Sequence, residues 1–118
     1  MIRSFLYTYR FSLALLAACV VSRLATTIFY IEDTDSLRFA PSVLEYDITE
    51  LRPHFPGYPV FSFIAWIFYQ LTGNYAIAFS LIGGASVFVI IHYLLTAAGW
   101  QLNSFQGQIL AFLVFFNP

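Results

Sequence analysis

The sequence predicts an all-α integral membrane fold: three to four transmembrane helices, with an amphipathic surface helix in the first outer loop. Three observations predict it. Hydrophobic residues make up 60% of the 118 and charged residues 9%, with a mean hydropathy of +0.78, which lies outside the composition of soluble domains. Apolar runs of helical length alternate with short polar or proline-rich breaks. All 6 acidic residues fall between Glu32 and Glu50, and no Asp, Glu, Lys or Arg follows Arg52. The charged chemistry of the chain is gathered into one loop beside the bilayer.

The first helix is expected at residues 11–31, an apolar run of about 31 Å at the helical rise, which matches the hydrocarbon thickness. Arg3, Arg10 and the terminal amine precede it and the acidic loop follows, so the positive-inside rule puts the N-terminus in the cytoplasm and the loop outside the plasma membrane. Tyr7, Tyr9, Phe29 and Tyr30 stand near the two ends, where interfacial aromatic anchors belong. Arg23 interrupts the run. A charge there costs about 3 kcal/mol unless the guanidinium snorkels outward or pairs with a carboxylate or a lipid phosphate. Leu16-Ala17-Ala18-Cys19 has the small residues of a lipoprotein cleavage site, but a mature lipoprotein turns polar after its cysteine and residues 20–31 stay largely apolar.

Residues 32–58 form the outer acidic loop and its surface helix. From Asp35 onward Leu37, Ala40, Leu44, Ile48 and Leu51 recur at spacings of three and four, with Arg38, Glu45 and Glu50 off the stripe, a pattern too charged and too short to span. Pro41 removes one donor and bends or restarts that helix, so two short pieces fit as well as one. The turn Pro53-His54-Phe55-Pro56-Gly57-Tyr58-Pro59 excludes regular helix and returns the chain to the membrane. The helix at 59–71 is short for a full span, and irregular backbone below the headgroups requires surrounding protein or a water-filled cavity. A cleft is expected at the turn.

Leu71-Thr72-Gly73-Asn74 then turns the chain into a helix at 75–98, where Ala76, Ser80 and Gly84 make a small-residue packing face. A polar connection leads into the start of a helix at 106–118, which is too short to cross. Residues 1–118 are accordingly expected to be a single N-terminal transmembrane segment of a larger protein.

A net charge of -1 with five scattered arginines leaves no basic patch, which excludes nucleic acid as a partner. Asp33 and Asp35, one residue apart just beyond the first helix, can act as oxygen ligands for a divalent cation, the one cofactor suggested. Either can instead serve as a general base once partly desolvated. Asp33 equally suits a helix cap, where the macrodipole favours an acid. His54 either orients a phosphate or sugar or satisfies a backbone carbonyl, and His92 reads as a core hydrogen-bonding residue. Tyr58 and Trp66 are aromatic candidates for a sugar or prenyl groove.

The order of these elements resembles the GT-C glycosyltransferases, polytopic enzymes similar to the protein O-mannosyltransferases and the aminoarabinose transferase of lipid A. In those families the first outer loop opens with Asp-Glu-x-Arg-Tyr-Ala, and Asp35-Ser36-Leu37-Arg38-Phe39-Ala40 occupies that place. His54-Phe55-Pro56-Gly57-Tyr58-Pro59 is similar to their His-Pro-Pro-Leu-Tyr turn into the second helix, and Asp33 to the first acid of an Asp-x-Asp variant. Ser36 replaces the usual second acid, and Pro41 stands where relatives continue a helix.

The resemblance implies an incomplete GT-C-type bundle and an enzyme, when full-length, of the hexosyl- or mannosyltransferase type. The isolated segment would be inactive. It further implies a polyprenyl-phosphate-linked sugar donor, an acceptor glycan, lipid or protein, and inversion at the anomeric carbon. Asp35, then Asp33, would be catalytic, and Arg38, His54, Tyr58 and Arg23 would bind substrate. Two rival readings stand beside it. A transporter segment would concentrate cations at the acidic loop but predicts carboxylates inside the helices, and none exists here. A non-catalytic scaffold subunit would need only the packing faces.

Overall fold

The computed structural model describes residues 2–30, 34–53 and 56–117, and among these it is all-helical, with five helices and no strand. In chain order they are α1 (Ile2–Ala25), α2 (Thr34–Ser42), α3 (Pro59–Thr72), α4 (Tyr75–Ala98) and α5 (Phe105–Phe115). The chain divides into two compact units, one of Met1–Arg23 with Gly83–Pro118 and one of Leu24–Ile82. Among the described residues one helix, Tyr75–Ala98, is long and apolar enough to cross a membrane.

In the first unit, α1 packs on α4 and α5 through a core of Cys19, Ile91, Leu95 and Ala111, with Leu15, Val87 and Phe115 against it. The close approach depends on Gly84, where a Cβ would stand 2.7 Å from the Val20 Cα and 3.0 Å from the Cys19 carbonyl oxygen. Ser104 caps α5 by accepting a hydrogen bond from the Gly107 N–H at 3.1 Å.

The second unit holds the loop. Asn74 caps α4, its Oδ1 accepting from the N–H groups of Ala76 at 2.9 Å and Ile77 at 3.2 Å. At the other end of α3 the Gly73 N–H donates to the Tyr69 carbonyl at 2.8 Å. Ser80 on α4 shares a 2.7 Å hydrogen bond with Thr27, just beyond α1. A row of rings then ties the elements together: Phe39 of α2 meets Phe61 of α3 edge-on at 5.2 Å, Phe61 meets Phe79 of α4 at 5.6 Å, and Phe79 meets Tyr75 at 6.3 Å.

Two expectations need correction. The first helix runs Ile2–Ala25 and not 11–31, because hydropathy marks the apolar stretch whereas hydrogen bonding sets the helix ends. Polar and aromatic residues before position 11 continue the helix, which ends at Ala25, before the β-branched Thr26-Thr27 pair.

The surface helix, finally, stops at Ser42. Pro41 cannot donate in its last turn, and the N–H groups of Leu44 and Glu45 both close on the Pro41 carbonyl, at 3.0 and 2.9 Å. Beyond it Asp47 and Arg52 form an antiparallel bridge with paired 2.8 Å bonds, around a turn in which Asp47 Oδ1 accepts from the Thr49 N–H and hydroxyl. That aspartate-centred turn overrides the helical spacing. Leu37, Leu44, Ile48 and Leu51 are exposed, and the residues that pack are Ala40 and Ser42 of α2 and Val43 just beyond it.

Candidate functional site

Asp35 lies in the first turn of α2, where the helix dipole favours a carboxylate. The residue is exposed. Arg38 follows one turn later on the same helix and is half-buried. Phe39, at i+4 from Asp35, faces the ring row, and Ser42, at i+7, is buried; the three share one stripe of the helix.

The proline-rich turn meets this stripe. Tyr58 precedes α3 with φ at 41°, a left-handed conformation that costs a tyrosine about 1 kcal/mol or more. Pro59, with its φ already helical, begins α3 directly after it. The Tyr58 ring lies 5.4 Å from that of Phe39, with 53° between the planes. Tyr46 holds the turn from the other side, its hydroxyl donating to the Gly57 carbonyl at 2.9 Å. Gly57 has φ at 89°, and a Cβ there would stand 2.8 Å from that hydroxyl, so glycine is required on both counts.

The remaining acids of the loop have structural partners. Arg52 donates through Nη1 to Glu45 and through Nη2 to Glu50, each at 2.8 Å. The two bonds from Thr49 hold the Asp47 carboxyl below the usual carboxylate range. These three carboxylates steady the loop. The Arg52–Pro53 peptide is cis.

Of the residues singled out from the sequence, Asp35, Arg38 and Tyr58 fall in one compact unit, whereas Arg23 belongs to the other, exposed in the last turn of α1. Asp33 and His54 lie outside the described residues. Among the described residues no group of three His, Cys, Asp or Glu side chains stands together as a ligand set for a metal. His92 is exposed on α4 and stacks on Phe88 at 6.2 Å, so the expected core histidine is a surface one.

Sequence reasoning did not single out Ser42 and Ser62, both buried at 4% exposure. They line a pocket of about 270 Å³ with Tyr46, Pro59, Phe63 and Trp66. The signal that could have found them is a serine in each of two apolar helix faces. No family model matches the chain, and no curated protein or solved structure matches it either.

Proposed function

We propose that this chain supplies the acidic-loop part of an inverting glycosyltransferase site that takes sugar from a polyprenyl-phosphate donor. It would lie multi-pass in the plasma membrane with its N-terminus in the cytoplasm. The reading is supported chiefly by the contact of Phe39 with Tyr58. The Asp-x-x-Arg-Phe-Ala segment and the proline-rich turn carry the family resemblance separately in sequence, and here their aromatic residues touch.

The chemistry needs one base and one set of cations. An acceptor hydroxyl gives its proton to the Asp35 carboxylate while its oxygen attacks the anomeric carbon from the face opposite the phosphate. The bond from that carbon to the phosphate oxygen breaks, and polyprenyl phosphate leaves with the electron pair. Charge developing on the leaving group in a poorly solvated site is the largest barrier term, and arginines stabilise it best. Arg38, in the same compact unit as Asp35, is the candidate. A divalent cation near Asp35 would serve the same purpose.

The test is transfer from a radiolabelled polyprenyl-phosphate sugar in membranes that contain the full-length protein. Asp35→Asn is expected to lower transfer by about 100-fold or more, the usual loss for a general base, with Asp35→Glu retaining part of it. Undiminished transfer by the Asn variant would sink the assignment of the base.

A further inference from the structure

We propose that the open groove between α1 and α5 seats one acyl chain of an outer-leaflet phospholipid, with the Gln108 carboxamide donating to the ester carbonyl at the head of that chain. Phe11 and Ala18 of α1 and Gln108, Ala111 and Phe112 of α5 line a space of about 440 Å³. The two alanines leave the room that the rings border, and no charged side chain lines it.

Size decides between a hydrocarbon chain and a side chain from another helix. An apolar cavity of about 150 Å³ accepts one benzene ring, so this groove has roughly three times the room that a single inserted ring needs. One knob from a neighbouring helix would leave most of the groove unfilled, and unfilled space forfeits the dispersion energy of its walls. A flexible chain follows an irregular groove and fills it.

Gln108 supplies the polar end. It is exposed, and its carboxamide has no hydrogen-bond partner among the described residues. An amide left unpaired in hydrocarbon is costly. With the N-terminus in the cytoplasm, α1, α3 and α4 each carry the chain across, so α5 begins at the outer face. Gln108 stands four residues beyond the Ser104 cap, about 6 Å along the axis, at the depth where headgroups give way to acyl chains. Ester carbonyls lie there, and they accept what the two amide N–H groups donate. Phe112 and Phe115, one and two turns deeper on α5, line the same groove, so a chain whose carbonyl meets Gln108 runs down past their rings.

This seat rests on the membrane placement proposed above and not on glycosyl transfer. What it reads is an ester carbonyl above a hydrocarbon chain. A polyprenyl phosphate lacks that carbonyl. A second copy of the chain could meet Gln108 amide to amide, but the groove is roomier than its side chains need.

The experiment reads lipid binding alone. The full chain, first tested for retention in membranes after an alkaline carbonate wash, is titrated in maltoside micelles with a diester phosphatidylcholine, its diether analogue or a polyprenyl phosphate. Native mass spectrometry counts the lipids retained. One diester lipid per chain is expected at saturation, held more tightly than either of the others. Gln108→Leu should weaken the diester about three- to tenfold and leave the diether within about twofold, as expected for one hydrogen bond. Ala18→Phe, at an exposed position, fills the groove and should weaken both phosphatidylcholines about tenfold or more, with an unchanged circular-dichroism spectrum. No sugar donor is present, so failure of the transfer mechanism is read separately. Loss of the chain to the carbonate wash would overturn the membrane placement and this seat with it. In a chain that stays, no saturable diester binding, equal affinity for the diether, preference for polyprenyl phosphate, or a lipid-free dimer would each overturn the seat alone.

Discussion

The ring of Phe39 packs against that of Tyr58 with 5.4 Å between centroids, joining α2 to the start of α3. Because Tyr58 also holds a left-handed backbone, the contact helps to offset local strain as well as to link two segments. A double-mutant cycle with Phe39→Leu and Tyr58→Leu should give a coupling of about 1 kcal/mol, read from unfolding in mixed micelles. Additive losses would show that the rings do not cooperate.

Gly84 and Gly83 are neighbours with opposite expected behaviour. Gly84→Ala drives a Cβ into the backbone of Cys19 and Val20, which cannot rotate aside, and should destabilise by about 1–3 kcal/mol. A Cβ on Gly83 meets nothing within 4 Å, so Gly83→Ala should be neutral or stabilise by up to about 1 kcal/mol through helix propensity. Thermal unfolding of both variants in the same lipid decides it.

The depressed pKa of Asp47 sets an acid dependence. Because the folded form holds the carboxyl ionised more readily than the unfolded chain does, its contribution is fully present above the ordinary carboxylate value, about 3.9, and is lost as pH falls through the lower folded value. Thr49→Val removes the side-chain bond that is the largest cause of the shift and weakens the acid tolerance of the loop. Carboxyl-carbon NMR titration of Asp47 in both proteins should show its midpoint moving up in the variant.

Arg52 grips two carboxylates with two different nitrogens, which a lysine cannot reproduce. All three side chains are at least 37% exposed, so water screens the pairs. Arg52→Lys should cost less than about 1 kcal/mol, and the difference from the parent should shrink in high salt. A salt-independent loss would place the role of Arg52 in packing.

Orientation is open to a labelling test. Cys19 is fully buried and Thr49 exposed, so Thr49→Cys offers one reactive thiol in the acidic loop. An impermeant maleimide should label it in intact cells. Labelling only after permeabilisation would reverse the proposed topology.

Helix α4 was legible from the sequence because an unbroken apolar run between Asn74 and Gly99 leaves the backbone no partners but its own. The limits of α3 were nearly as clear, since Pro59 and Gly73 act within their own few residues. So was the concentration of acids in one loop. Tertiary structure decided the rest. Residues 43–52 carry a helical spacing, but the side-chain bonds of Asp47 and the two ion pairs of Arg52 favour a turn instead. The pocket was hidden for a related reason: Ser42 and Ser62 are twenty residues apart and meet only once α2 has packed on α3. Hydropathy and spacing record what each residue prefers alone, whereas hydrogen-bond direction in a buried site is settled by the neighbours that folding brings to it.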